Sequence, residues 1–174
     1  MISAIPTDTC YGLACNIYNK EAYYKIFELK NRPGNKLLSI AVITYNDLKL
    51  ISLLSSSQIN FLINYPHPFT ILTKVNENFE FPIFLDKLQY SELGIRVAST
   101  FLDKDVISSL EFPIFLTSAN NSGDSEIYDS SEIDAFFGNR IDKILPGKIK
   151  PNPPSNIFRF IGDTLELDYI RKNY

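Results

Sequence analysis

Two short segments carry the side chains best suited to holding a small polar ligand. Pro6-Thr7-Asp8-Thr9-Cys10-Tyr11-Gly12-Leu13 lies near the start, and Leu116-Thr117-Ser118-Ala119-Asn120-Asn121-Ser122-Gly123 lies well downstream. Small hydroxyl and amide side chains there can bond a ligand while letting it approach the backbone. The same residue types also make good turns for purely local reasons, so neither segment is decisive alone. Lys30 and Arg32 fall at the expected end of a helix, where the dipole favours cations by about 0.3–1 kcal/mol. With Lys36 they can equally line one side of a pocket and hold a polyphosphate, arginine as a planar fork and lysine as a point charge. Arg96 interrupts an apolar strand, so it either snorkels to the surface or faces a polar cavity.

Several chemistries are excluded. There is no G-x-x-x-x-G-K-[ST] and no G-x-G-x-x-G, so neither a P-loop nor a dinucleotide fingerprint is present. His67 is the only histidine, which removes multi-histidine metal sites and weakens any serine–histidine nucleophile scheme. Cys10 and Cys15 are the only cysteines. They suit neither a disulfide framework nor a four-ligand zinc site and read as reduced, partly buried thiols. The net charge is −3 and the pI about 5.2, against the basic excess expected of a protein whose main task is holding RNA. No apolar run approaches the roughly 20 residues needed to cross a bilayer, and no signal-peptide pattern precedes Pro6. A cytoplasmic location is the default expectation.

These groups need a scaffold, and the pattern predicts one domain over residues 1–174. The 45% hydrophobic content fits a globular chain. Ile2 to Ile5 predicts a strand feeding the Thr7–Asp8 turn. Asn19 is placed to cap a helix running to about Asn31 and stopped by Pro33-Gly34. Leu37 to Thr44 predicts a strand covered on both faces. Helices are expected near Asn46–Leu54 and Ser57–Asn64, then strands over Phe69–Val75 and Leu93–Val97. A helix over Phe101–Leu110, a strand over Phe112–Leu116 and a Ser131-capped helix ending before Gly138 follow. Ser155–Ile161 and Leu165–Ile170 read as a closing hairpin around Gly162-Asp163. The whole predicts an α/β fold, an open mixed sheet with flanking helices. Ligands would collect beyond the carboxyl ends of its strands.

Taken in order, the motifs resemble the YrdC family of threonylcarbamoyl-AMP synthases. The resemblance runs through Pro6–Leu13 and Lys30–Pro33 to Leu37–Ile43 and Tyr65–Thr70. It continues through Ile95–Val97, Thr117–Gly123 and Pro154–Ile157 to Arg171. It implies a YrdC-like fold and a nucleotidyltransferase activity. L-threonine, bicarbonate and ATP would give threonylcarbamoyl-adenylate and pyrophosphate, for threonylcarbamoyladenosine modification of tRNA by a separate transferase. ATP would be a substrate, with Mg²⁺ carried on the triphosphate, and no protein-bound metal is implied.

Carried over position by position, Thr9, Arg96, Ser118 and Ser155 match the family's threonine-holding residues. Arg32, Asn120 and Arg171 match its nucleotide-holding residues. Lys30 and Arg32 are the expected catalytic cations. Lys36 stands where many relatives place an asparagine that touches ATP, and Ala41 where many carry a histidine beside the threonine. Tyr128 stands near a common threonine. His67 and Asn156 depart from the glycine of W-P-G-P and the threonine of P-S-T. Only Met1–Ile5 precede Pro6, so a short first strand with one thinly covered face is expected. With only Lys172–Tyr174 beyond Arg171, no extra C-terminal domain is expected. Two rivals remain open: a YrdC-like module that binds nucleotide or RNA without turnover, and a carbamoyl-transfer role like that of hydrogenase maturation proteins.

Overall fold

The computed structural model describes residues 1–34, 37–85, 90 and 92–174. Its strands are β1 (Ser3–Pro6), β2 (Tyr11–Asn16), β3 (Ser39–Val42), β4 (Phe69–Lys74), β5 (Glu92–Val97), β6 (Ile114–Ser118), β7 (Lys143–Ile144), β8 (Asn156–Phe160) and β9 (Leu167–Arg171). Its α-helices are α1 (Lys20–Leu29), α2 (Tyr45–Ile51), α3 (Ser56–Ile63), α4 (Lys104–Ser108) and α5 (Ser130–Phe137). The described strands form one nine-stranded mixed sheet ordered β7-β1-β2-β6-β3-β5-β4-β8-β9. β3 pairs with β5, β4 with β8 and β1 with β7 in parallel, while the other neighbours are antiparallel. The expected α/β mixed sheet and its terminal hairpin are present.

Helix α1 shows how local chemistry aims the site. The Asn19 side chain accepts from the Ala22 N–H at 2.9 Å, capping the first turn as expected. Ala22, Tyr23, Ile26 and Leu29 then bury one stripe against the sheet. The helix stops before Pro33-Gly34. Asn31 takes a positive φ of 47°, the Asn31 N–H donates to Glu28 O at 3.1 Å and the Arg32 N–H to Phe27 O at 3.0 Å. This pair of bonds is a Schellman closure with asparagine at its left-handed position. It sends Lys30 and Arg32 in different directions.

Other local expectations need correction. Residues 101–110 do not form one helix: after a 3-10 turn at Ala98–Thr100, the short α4 occupies only Lys104–Ser108. The α5 cap is Asp129, whose carboxylate accepts from the Ser131 N–H at 2.9 Å. β2 and β7 have no counterpart among the sequence-predicted elements. β1 is short, yet Ala4 and Ile5 on its two faces are both fully buried, so neither face is thinly covered.

The sheet's two faces are treated differently. One carries Leu13, Cys15, Ile40, Val42, Ile71, Ile95 and Phe115, and with α1, α2 and α3 makes the main core. The other holds a smaller cluster of Ile5, Ala14, Ala41, Ile114 and Leu116 beneath Ala98, Phe101, Leu102 and Val106. Side chains alternate along strands, and residues directly opposite share a face. The second face therefore continues past that cluster through Gly12, Ser118, Ser39, Gly94, Arg96, Thr70, Ile157 and Arg171. Among the described residues no helix covers that stretch.

Candidate active site

A cavity of about 250 Å³ lies over this uncovered face. Thr9, Arg32, Arg96, Ser118, Ser155 and Arg171 line it, together with Thr7, Gly12, Ser39, Thr70, Glu126 and Pro154. The position differs from the strand-end crevice expected of a parallel sheet. β2, β3 and β5 run opposite to β1 and β6, so the floor is a mid-sheet surface, and only its rim is made of turns. Small side chains keep the floor low. A Cβ on Gly12 would lie 2.7 Å from Leu116 Cδ1, and one on Gly94 3.2 Å from Ser39 Oγ.

Backbone bonds stitch the two ligand-type turns together. The Ala119 N–H donates to Tyr11 O at 2.7 Å, and the Tyr11 N–H to Ile127 O at 2.8 Å. The end of α1 joins them through the Ser122 N–H, which donates to Lys30 O at 2.8 Å. Within the first turn, Thr7 Oγ1 donates to Cys10 O at 2.7 Å and lies 3.3 Å from Thr9 Oγ1. Three motifs far apart in the chain thus share one edge of the cavity.

The cations do different work. Lys30 is only 1% exposed and is not a lining residue. Its ammonium donates to Ser118 O and Asn120 O, each at 2.5 Å, and to Asn120 Oδ1 at 3.1 Å. Burial, with Arg32 nearby, pulls its pKa down to about 8. Arg32, one residue beyond the helix closure, does line the cavity, and its Nη2 donates to Leu37 O at 2.7 Å. Arg171 closes the opposite side, donating through Nε and Nη2 to Ser155 O at 3.0 and 2.8 Å. Burial lowers the pKa of both Arg32 and Arg171, for Arg171 with help from Arg96. Lys36 lies outside the described residues.

Arg96 faces the cavity. Its Nη2 donates to both oxygens of Asp8, at 2.8 and 2.9 Å, and its Nε to Phe69 O at 3.3 Å. Ser155 Oγ lies 3.1 Å from Thr70 Oγ1. Asn120 stands behind the wall: its Oδ1 accepts from Lys30 and from Ser118 Oγ at 2.6 Å, and its Nδ2 donates to Asp124 O at 2.6 Å. It lines a second cavity of about 520 Å³ that shares Glu126 with the first. A third, aromatic cavity of about 360 Å³ shares Arg32.

Sequence reasoning missed Asp8, Thr70, Ser39 and Glu126 as parts of this site. Asp8 stood in a quoted motif, and the Thr70 alternation was visible. Nothing local marked Ser39 or Glu126. Of the family-specific positions, Ala41 lies opposite Arg96 across β3 and β5. Asn156 is fully buried and holds Tyr65 and the chain end, its Nδ2 donating to Tyr65 OH at 2.7 Å and its Oδ1 accepting from Asn173 N–H at 2.7 Å. His67 stacks on Tyr174 with centroids 5.1 Å apart. Tyr128 accepts from Ile149 N–H through its carbonyl at 2.8 Å and is not a lining residue of the main cavity. Burial pushes the Cys10 thiol up to about 11, so the thiol facing the cavity is not a nucleophilic thiolate at neutral pH. Among the described residues no three His, Cys, Asp or Glu side chains group to hold a metal.

A mixed sheet with an arginine-lined hollow on one face is a scaffold suited to a small polyanion. The family model of the Sua5/YciO/YrdC domain, described as telomere recombination, matches residues 1–172, and the chain belongs to that family. Among curated relatives, the threonylcarbamoyl-AMP synthase of Marinobacter nauticus is 28% identical over 164 residues, 92% of this chain and 85% of the relative. A putative threonylcarbamoyl-AMP synthase of Methanocaldococcus jannaschii is 30% identical over 162 residues, 91% of this chain and 74% of the relative. Among solved structures, E. coli YciO superposes with a TM-score of 0.78 at 22% identity, over 98% of this chain and 82% of that one. P. abyssi Sua5, solved with L-threonine, superposes with a TM-score of 0.76 at 24% identity, over 91% of this chain. This chain spans about half, 47%, of that Sua5 structure. Among the described residues no helix is long and apolar enough to cross a membrane.

Proposed function

We propose that this protein is an L-threonylcarbamoyladenylate synthase. L-threonine, bicarbonate and ATP would yield threonylcarbamoyl-AMP and pyrophosphate, and the product would pass to a separate tRNA-modifying transferase in the cytoplasm. The observation that carries the reading is the meeting of Arg32, Arg96 and Arg171 with Thr9, Ser118 and Ser155 around one cavity. Relatives named for this reaction and the threonine-bound Sua5 support it.

In this reading Arg96 receives the carboxylate of threonine, and Thr9, Ser118 and Ser155 surround the rest of the amino acid. The amine attacks the carbon of bicarbonate, water leaves, and a carbamate results. A carbamate oxygen then attacks the α-phosphorus, the bond to the bridging oxygen breaks, and pyrophosphate departs. No protein nucleophile is needed, so the protein contributes orientation and charge stabilisation. Arg32 and Arg171 flank the cavity with cations that do not lose their protons at neutral pH, suited to the developing negative charge. Lys30 acts by fixing the Ser118–Asn120 turn, and Asn120 presents that turn to the nucleotide. Lys36 remains a proposed nucleotide contact. Magnesium would arrive on the triphosphate with its waters. The acidic pI argues that direct tRNA contact is weak or absent.

The test is pyrophosphate release by purified protein, with L-threonine and bicarbonate added singly and together. Release that needs both is expected. Binding of ATP by calorimetry with no release would favour the rival reading of a nucleotide-binding module.

A further inference from the structure

Arg96 is held on more sides than a pocket arginine requires. Both oxygens of Asp8 accept from Nη2 and the Phe69 carbonyl accepts from Nε–H. The Phe101 ring lies under the guanidinium with its centroid 3.9 Å from Cζ. Among the described residues Nη1 has no hydrogen-bond partner, and Arg96 lines the cavity. Phe101 follows the 3-10 turn at Ala98–Thr100, and its N–H donates to Ala98 O at 3.0 Å. It is itself 9% exposed, in the small apolar cluster that includes Ala41 and Ala98. Ala41 sits directly opposite Arg96 in the sheet. A methyl group there leaves room for the ring beside the guanidinium.

We propose that Phe101 is a positioning residue for Arg96, closing one face of the guanidinium so that Nη1 meets an incoming carboxylate edge-on. In-plane bonds to Asp8 and Phe69 fix the rotation of the plane, and the ring fixes its tilt. An aromatic face attracts a cation and, being apolar, excludes water from that side. Edge-on approach is the geometry in which a guanidinium and a carboxylate bond best. The ring therefore sets affinity for the carboxylate-bearing substrate without touching it, and leaves the nucleotide side alone. The inference rests on the proposal that Arg96 receives the amino-acid carboxylate.

The experiment compares Phe101→Leu, Phe101→Tyr and Leu102→Ala in the full chain. Leu102 shares the apolar cluster, while the ring under the Arg96 guanidinium is that of Phe101, so truncation of Leu102 controls for packing loss. The first readout is the ¹⁵N-edited Nε–Hε signal of Arg96, assigned by its disappearance in Arg96→Lys. Wild type and Phe101→Tyr should show it shifted upfield by the ring and slow to exchange, while Phe101→Leu moves it towards the exposed-arginine position. Leu102→Ala should leave it in place. The second readout is L-threonine titration and the KM values for threonine and ATP. Phe101→Leu should weaken threonine binding about 3- to 30-fold, the range of a desolvated cation–ring contact, with the ATP KM unchanged. An unmoved Nε–Hε signal, or equal losses in Phe101→Leu and Leu102→Ala, overturns the proposal. A signal that behaves as expected in a protein that binds no threonine upholds the positioning role and sinks the synthase reading instead. Should Phe101→Leu fail to fold, Phe101→Met carries the same comparison.

Discussion

Lys30 Nζ donates to the Asn120 carbonyl at 2.5 Å and to the Asn120 side-chain oxygen at 3.1 Å, joining residues 90 positions apart. With Ser118 O as third acceptor, each N–H of the ammonium has a partner, and the second ligand-type turn is fixed from within. Lys30→Met would keep the bulk and strand two buried carbonyls. The expected cost is about 2–3 kcal/mol, read by urea unfolding, with ligand binding weakened in the same variant. A stability change within about 0.5 kcal/mol would mean that the turn holds its shape unaided.

The same group predicts a pH dependence. Its folded pKa of about 8 lies below the ordinary 10.5, so between these values the unfolded chain holds more protons. Stability from Lys30 therefore rises with pH across that window, by up to about 1.4 kcal/mol per pH unit. Cys10 and Cys15 act in the opposite sense above pH 9, because burial raises them from 9.0 to about 11 and about 12. Subtracting the unfolding free energy of Lys30→Met from that of the wild type isolates the lysine. The difference should climb from pH 8 upward, and a flat difference would contradict a depressed pKa.

On the nucleotide side, Arg32→Ala and Arg171→Ala should each raise the ATP KM by about tenfold or more, the worth of one charge-assisted hydrogen bond. Arg171 is exposed along its stem but its guanidinium is part-buried on Ser155 O, so its loss should cost about 1 kcal/mol of stability, the worth of a typical hydrogen bond. Thr9→Val should instead raise the threonine requirement more than the ATP requirement. Unchanged ATP kinetics would remove the arginines from the site, and equal shifts in both requirements would leave Thr9 a turn-shaping residue.

Gly12→Ala tests the floor. The added methyl would meet Leu116 Cδ1 at 2.7 Å and Thr117 O at 3.2 Å, and Leu116 is 5% exposed, with little freedom to turn away. Overpacking of this kind costs about 1–3 kcal/mol. Both ligands should bind less well, because Leu116 lines the cavity and the open space beside it is that cavity. Wild-type affinities in a destabilised variant would show that Leu116 retreats elsewhere.

Arg32 and Lys30 show how far the sequence was legible. Both were visible as candidate cations, since residue type and motif spacing are local. Which of them reaches the cavity was not, because that depends on the positive φ of Asn31 and on the turn at Ser118–Asn120 closing over the lysine. The Asn19 cap, the apolar stripe of α1 and the hairpin at Gly162 were readable because their partners lie within a few residues. The α4 segment was overextended because its apolar spacing comes from packing on the second face rather than from a helix.

By itself, then, the sequence determined the α/β class, most of the elements though not β2 or β7, and the small hydroxyl-rich turns. The tertiary structure alone decided that Arg96, Thr70, Ile157 and Arg171 form one row across four adjacent strands. It also decided that Asp8 and Phe101 hold the first member of that row. Register is the physical reason. A shift of one residue in any of these strands turns its side chains to the opposite face, and that register is set by packing between segments that no local pattern connects.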